Sequence, residues 1–241
     1  MTSSPNDESG AARERVYRQY RFAPPDGATD ILLVRHGESA PASEARPATL
    51  SDGHADPPLD PVGRDQAQRL ADRIGLEAID AIYVTTLRRT AETAAPVAER
   101  LGITPVVEPD LREVYLGEWE GAAFRRHTSE GHPIAKQMIE QQRWDVIPGA
   151  EPIEQFRARV QQGIARIAAA HPNQRVMAVV HGGVIGMILA IASGARNLAF
   201  TGVDNGSISQ IVVLGDQWIV RRFNDTAHLE TAYTLTPTAL I

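Results

Sequence analysis

The chain has 241 residues, 43% apolar and 22% charged, the proportions of an ordinary water-soluble globular protein. Its 30 acidic against 24 basic side chains give a net charge of −6, which argues against nucleic acid or an anionic membrane as main partner. The absence of cysteine removes disulfides, thiolate nucleophiles, iron–sulfur clusters and Cys-type zinc sites.

Met1 to Tyr20 is polar and lacks the apolar segment of a secretory signal, and no apolar run approaches the ~20 residues of a membrane span. A cytoplasmic protein is expected. Residues 1–29 read as a polar arm ending in Ala23-Pro24-Pro25-Asp26-Gly27, a turn-rich joint. Val16, Tyr17, Tyr20 and Phe22 give this arm apolar contact points, so it either rests on the surface or exchanges between two copies in a homodimer. The remaining span, 30–241, is expected to be one domain.

From residue 30, β-branched apolar runs alternate with helical patterns. Ile31 to Val34, Ala81 to Val84 and Val176 to Val180 are near-continuous apolar runs, as in strands covered on both faces. Helices are predicted near 62–75, 87–101 and 152–170, and 184–192 reads as a helix apolar on every side. In the second helix Leu87, Ala91, Ala94, Ala98 and Leu101 are the expected buried stripe, with Arg89 and Thr93 on a different face. Residues 115–150 break the alternation and are expected to be a helical excursion over the sheet edge. Ser207 to Leu214 and Trp218 to Phe223 read as a late strand pair joined at Gly215-Asp216. The pattern predicts an α/β fold, a three-layer α/β/α sandwich with a mostly parallel central sheet.

In such sheets the ligand lies beyond the carboxyl ends of the strands. Here the first run is followed by Arg35-His36-Gly37-Glu38-Ser39, the second by Thr85-Thr86-Leu87-Arg88-Arg89, and the third by His181-Gly182-Gly183. Every strand thus delivers Arg, His or both to one edge, which predicts a cationic pocket. Arg88 and Arg89 fall in the first turn of a helix, where the macrodipole disfavours cations by ~0.3–1 kcal/mol, so a bound anion is expected to offset that cost. Gly182-Gly183 lets backbone N–H groups come close to such a ligand. The sole lysine, Lys136, precedes Gln137, so no phosphate loop of the G-x-x-x-x-G-K-[ST] type exists, and arginine is left as the anion binder. No G-x-S-x-G, H-E-x-x-H or G-x-G-x-x-G is present either.

Arg35-His36-Gly37, Leu87-x-Arg89 with Thr93-Ala94, Leu111-x-Glu113 with Gly117-x-Trp119-x-Gly121, and His181-Gly182 together resemble the histidine phosphatase superfamily, the phosphoglycerate mutase-like family. Asp56-x-Pro58-Leu59 with Gly63 and Gln66-Ala67, and Gly149-x-Glu151 with Arg159, match its secondary motifs. The similarity runs over roughly residues 30 to 222. It implies a phosphomonoesterase acting on a small phosphorylated metabolite, with no cofactor and no metal. By the same resemblance His36 is the nucleophile, Arg35 and Arg89 are forked donors to phosphoryl oxygens, and His181 is a further donor. Glu113, rather than Glu38, Glu118 or Glu120, matches the proton donor, and Gly37, Ser39 and Gly182 fall among the substrate-binding positions. Taken alone, Glu113 could also be a surface carboxylate paired with Arg112, the less favoured of the two readings.

The sequence departs from the family where many relatives carry Asn six residues after the nucleophilic histidine: Ala42 stands there. Tyr115-Leu116-Gly117-Glu118-Trp119-Glu120-Gly121 resembles the phosphatase branch rather than the mutases. A mutase must also hold a bisphosphate, for which a chain with one lysine is poorly supplied. Mutase-type transfer and a non-catalytic phospho-ligand scaffold remain the alternatives. Asp52-Gly53-His54-Ala55-Asp56 reads as a polar loop, and His127, His132, His171 and His228 as histidines without metal spacing. Trp119, Phe124, Trp144, Arg125 and Arg126 are the expected wall over the leaving group.

Overall fold

The computed structural model describes residues 17–41 and 49–229. The expectations for Val16 and Ala42 fall outside this range. Strand β1, Thr29–Arg35, leads to a small hairpin of β2, Leu50–Ser51, and β3, His54–Ala55, and then to helix α1, Pro61–Ile74. Strand β4, Ala81–Val84, helix α2, Arg88–Leu101, and the short strand β5, Val106–Val107, follow. Two 3-10 turns, Pro109–Leu111 and Gly117–Trp119, precede helices α3, Ala122–Ser129, and α4, Pro133–Gln141. Helix α5, Ile153–Ala170, strand β6, Arg175–Val180, helix α6, Gly182–Ser193, and strands β7, Ile208–Leu214, and β8, Gln217–Asp225, complete the chain.

The main sheet has the order β5-β4-β6-β1-β7-β8. β5, β4, β6 and β1 run parallel, and β7 and β8 are antiparallel. Side-chain alternation divides the central strands between two cores. Ile31, Leu33, Val176, Ala178 and Val180 enter one core with Phe156, Ile164 and Ile188 of α5 and α6. Leu32, Val34, Ile82, Met177 and Val179 enter the other with Leu70, Ala71, Ala94 and Val97 of α1 and α2. This is why the central strands carry no polar alternation: neither face meets water. Helix α6 is apolar throughout for the same reason, with Val184 to Ala190 all buried.

Two expectations change. Helix α6 begins at Gly182 rather than at 184, so both glycines lie in its first turn. In α2 the buried face runs through Thr90, Ala94 and Val97, while Ala91 is exposed. The side chains of Thr90 and Thr93 bond to protein groups, which lets polar residues occupy a buried face that apolar periodicity assigned elsewhere. Arm residues Tyr17 and Tyr20 are exposed, and Phe22 lies beneath the Arg221 guanidinium at 3.9 Å. The excursion over 115–150 is helical, as α3 and α4.

Candidate active site

The carboxyl ends of β1, β4 and β6 converge because the three strands are neighbours and parallel. His36 extends β1 by one hydrogen bond, its N–H donating to Val180 O at 3.0 Å. Asn205 Nδ2 donates to His36 O at 2.9 Å. Gly37 N–H donates to Thr93 Oγ1 at 2.9 Å, the first link between the loop and α2. Gly37 is required by crowding: a Cβ there would sit 2.5 Å from Gly63 O. One on Gly63 would sit 2.0 Å from Glu38 O. The loop after β1 thus lies directly against the first turns of α1, and Gln66 Oε1 accepts the Glu38 N–H at 2.8 Å.

His36 is buried, and its Nδ1 contacts Gly37 O at 2.8 Å. A carbonyl only accepts, so Nδ1 carries the hydrogen and Nε2 carries the lone pair. Arg89 Nε donates to that Nε2 at 3.1 Å. Burial, followed by the charges of Arg89 and Arg35, pushes the His36 pKa well below 6.5. The imidazole is therefore neutral at physiological pH, the form in which it is nucleophilic. Arg89 Nη1 donates to Ala55 O at 2.8 Å, and Arg35 Nη1 donates to Val203 O, so backbone carbonyls aim both guanidiniums. Burial lowers the pKa of both arginines, and the Glu113 carboxylate opposes the shift most strongly.

His181 is fully buried, its ring centroid 5.2 Å from that of His36. Its Nε2 lies 3.0 Å from Thr85 Oγ1, and its Nδ1 is buried without a protein partner. Its pKa is pushed well below 6.5, first by burial and then by Arg89. Glu113 approaches from the loop after the first 3-10 turn. Its Oε1 accepts from Val114 N at 3.0 Å and its Oε2 from Gly183 N at 3.2 Å. A Cβ on Gly183 would come within 2.6 Å of Glu113 Oε1, so the second glycine makes room for the carboxylate. Arg112 pairs with Asp52 at 3.4 Å rather than with Glu113.

Arg159 fixes that loop. Its guanidinium donates to the carbonyls of Asp110 at 2.7 Å, Arg112 at 2.6 Å and Glu113 at 2.9 Å, and pairs with Glu151 at 2.7 Å. Asp56 Oδ1 accepts the Arg88 N–H at 2.9 Å, placing a carboxylate at the α2 N-terminus. The dipole cost anticipated for two arginines is therefore met partly from within the protein. Only Arg89 turns inward, and Arg88 pairs with Glu92 on the surface at 2.9 Å.

Arg35, His36, Ser39, Arg89, Glu113 and Gly182 line one cavity of about 390 Å³. Gly37 and His181 lie behind its surface. Phe124, Arg125, Trp144, Leu198 and Phe200 line the same cavity, and the charge of Arg125 acts on both Arg35 and His36. Trp119 is not among them but buried, packed on His127 at 4.7 Å and His132 at 5.3 Å. Two participants escaped the sequence reading. His54 lines the cavity from β3, beside Tyr115, and Thr85 reaches His181. The only sequence signal for Thr85 is its place at a strand end.

The family model for the histidine phosphatase superfamily (branch 1) matches residues 31–226. The chain is 34% identical to phosphoglycerate mutase-like protein 4 of Arabidopsis thaliana over 207 residues, 83% of this chain and 87% of that protein. It is 31% identical to the metal-independent phosphoserine phosphatase of Arabidopsis thaliana over 210 residues, 84% of each. Among solved structures, a mycobacterial glucosyl-3-phosphoglycerate phosphatase superposes with a TM-score of 0.69 at 25% identity, covering 83% of this chain and 100% of the other. Phosphoglycerate mutase from Bacillus anthracis str. Sterne superposes with a TM-score of 0.72 at 22% identity over 84% of this chain and 96% of its own, a likeness of fold.

Proposed function

Because the chain belongs to the histidine phosphatase superfamily, we propose that it is a phosphomonoesterase that hydrolyses a small phosphorylated metabolite through a phosphohistidine on His36. The family and the named relatives make it a phosphatase or mutase, and the cavity favours the phosphatase. The observation that carries this reading is the presentation of the His36 Nε2 lone pair at the wall of a cavity that also receives Arg35, Arg89 and Glu113.

In the proposed first step the two guanidiniums bind the phosphoryl oxygens, Arg89 Nε–H turning from His36 Nε2 to one of them, and the Nε2 lone pair so released forms the N–P bond as the ester P–O bond breaks. Glu113 delivers its proton to the departing alkoxide. In the second step the Glu113 carboxylate takes a proton from water, whose oxygen attacks phosphorus. Inorganic phosphate leaves and the neutral imidazole is restored. Among the described residues the cationic side chains lining the cavity are Arg35, Arg89 and Arg125, a set suited to one phosphoryl group and little else that is highly charged. Turnover without added metal is expected. A relative bears that description, and no three His, Asp or Glu among the described residues gather at metal-binding spacing.

Purified protein assayed with p-nitrophenyl phosphate tests the reading. Hydrolysis is expected to be inhibited by vanadate, to survive a chelator and to vanish in His36→Ala. Isomerisation of 3-phosphoglycerate without phosphate release would favour the mutase instead, and full activity in His36→Ala would remove the mechanism.

A further inference from the structure

The three peptide units between Arg35 and Glu38 are each held at both ends. Arg35 O accepts from Gly206 N at 3.0 Å, and His36 N donates to Val180 O at 3.0 Å. His36 O accepts from Asn205 Nδ2 at 2.9 Å, and Gly37 N donates to Thr93 Oγ1 at 2.9 Å. In the third unit Gly37 O accepts from His36 Nδ1 at 2.8 Å, and Glu38 N donates to Gln66 Oε1 at 2.8 Å. That unit differs from the other two. One of its ends meets the imidazole of the nucleophile itself, and the side chain that steadies the other is Gln66.

The peptide bond is planar and trans, so its N–H and C=O point in opposite directions. Fixing the Glu38 N–H toward α1 therefore turns the Gly37 carbonyl back toward the His36 ring. A backbone N–H only donates, so the Gln66 amide presents its oxygen. The stem of Gln66 packs against Gly206, where a Cβ would come 3.2 Å from Gln66 Cβ. Gly206 has φ +74 and follows Asn205, so the α1 side chain also rests on the turn that holds the His36 carbonyl. Gln66 is not among the residues lining the cavity.

A neutral imidazole carries its hydrogen on either nitrogen, and only the Nδ1–H form leaves Nε2 the lone pair that attacks phosphorus. In the resting site two contacts favour that form, Gly37 O at Nδ1 and Arg89 Nε at Nε2. When Arg89 turns to the phosphoryl group, of the two only Gly37 O remains. We propose that Gln66 is a positioning residue for the nucleophile: by orienting the Gly37–Glu38 peptide it keeps the His36 hydrogen on Nδ1 while Nε2 attacks. The inference rests on the phosphohistidine reading and adds to it a residue that touches no reacting atom.

The test uses Gln66→Met, which keeps the length of the side chain and removes the acceptor, beside Gln66→Glu, which retains an oxygen for the Glu38 N–H. Proton–nitrogen correlation spectra of substrate-free protein, at a pH where the ring is neutral, report which nitrogen of His36 bears the hydrogen. They are recorded in an Arg89→Ala background, where Gly37 O holds the ring without help from Arg89, and His36→Ala assigns the signals. Nδ1 is expected to bear the hydrogen in this background and with Gln66→Glu added, whereas adding Gln66→Met is expected to move a share of it to Nε2. With Arg89 in place and p-nitrophenyl phosphate as substrate, phosphohistidine formation in Gln66→Met is expected to slow roughly 2- to 10-fold, the range of one neutral hydrogen bond. Inhibition by inorganic phosphate, which reports the arginines, is expected to be unchanged, and Gln66→Glu to recover most of the rate. A merely structural role would move stability but not the tautomer. Hydrogen on Nδ1 alone in the Arg89→Ala, Gln66→Met double variant would overturn the inference, as would an unchanged rate in Gln66→Met or an equal fall in Gln66→Met and Gln66→Glu. Activity that survives in His36→Ala would instead remove the phosphohistidine reading, and this inference with it.

Discussion

A buried hydroxyl holds a buried histidine: Thr85 Oγ1 is the partner of His181 Nε2 at 3.0 Å. Thr85→Val removes that partner at nearly constant volume and leaves a ring nitrogen without its bond, at a cost of about 1–3 kcal/mol. Thr85→Ser keeps the hydroxyl and is expected to cost less, as urea denaturation would measure. The two buried histidines also set a pH dependence. Their folded pKa values lie below the unfolded 6.5, so beneath that pH the unfolded chain binds protons that the native state refuses. Stability is therefore expected to fall as pH drops through about 6.5, each histidine adding up to about 1.4 kcal/mol per pH unit. His181→Asn removes one such group and is expected to lose less stability than the wild type between about pH 7 and pH 5. Equal losses in the two proteins would mean that His181 titrates in the native state as it does in water.

Two contacts between elements decide whether the site assembles. The first is the close approach of the loop after β1 to α1. Gly63→Ala would gain up to about 1 kcal/mol of helix propensity but drive a methyl group onto the Glu38 carbonyl, 2.0 Å away, and overpacking against backbone costs about 1–3 kcal/mol or more. Net destabilisation is expected, and unchanged or raised thermal stability would contradict the contact. The second is the Arg159 clamp, which holds the loop bearing Glu113. Arg159→Met strands Glu151 and three carbonyls, a loss of the order of 3 kcal/mol. Adding Glu151→Leu is expected to recover part of it, measurable as coupling in a double-mutant cycle. These contacts were only partly legible beforehand. Gly63, Glu151 and Arg159 could be marked as motif residues, but pattern alone does not reveal which backbone a glycine touches or which carbonyls an arginine collects. The hairpin β2–β3 and strand β5 went unread because two-residue strands carry no periodicity.

At the scale of the whole molecule, the sheet was legible because burial on both faces writes an unbroken apolar run into each central strand. The pocket edge was legible because three such runs end in Arg or His. The rest of the cavity lining was not. Trp119, expected to face substrate, is buried outside it, since aromatic residues in a helical excursion read alike whether they line a cavity or support it. His54, read as a polar loop residue, lies in the cavity because a hairpin folds back over the strand ends. In the proposed chemistry His36 becomes phosphorylated and Glu113 handles the proton. Glu113→Gln keeps the nucleophile and removes the acid, so its rate is expected to fall about 10²–10⁴-fold for an alkyl phosphate. The fall is expected to be much smaller in the phosphorylation step with p-nitrophenyl phosphate, whose leaving group barely needs a proton. The most direct measurement is a quench of Glu113→Gln during turnover, followed by intact-mass and peptide analysis. One added phosphoryl group on His36, lost in acid and stable in base, is expected; phosphate found on His181 or on any Ser or Thr would contradict the proposed chemistry.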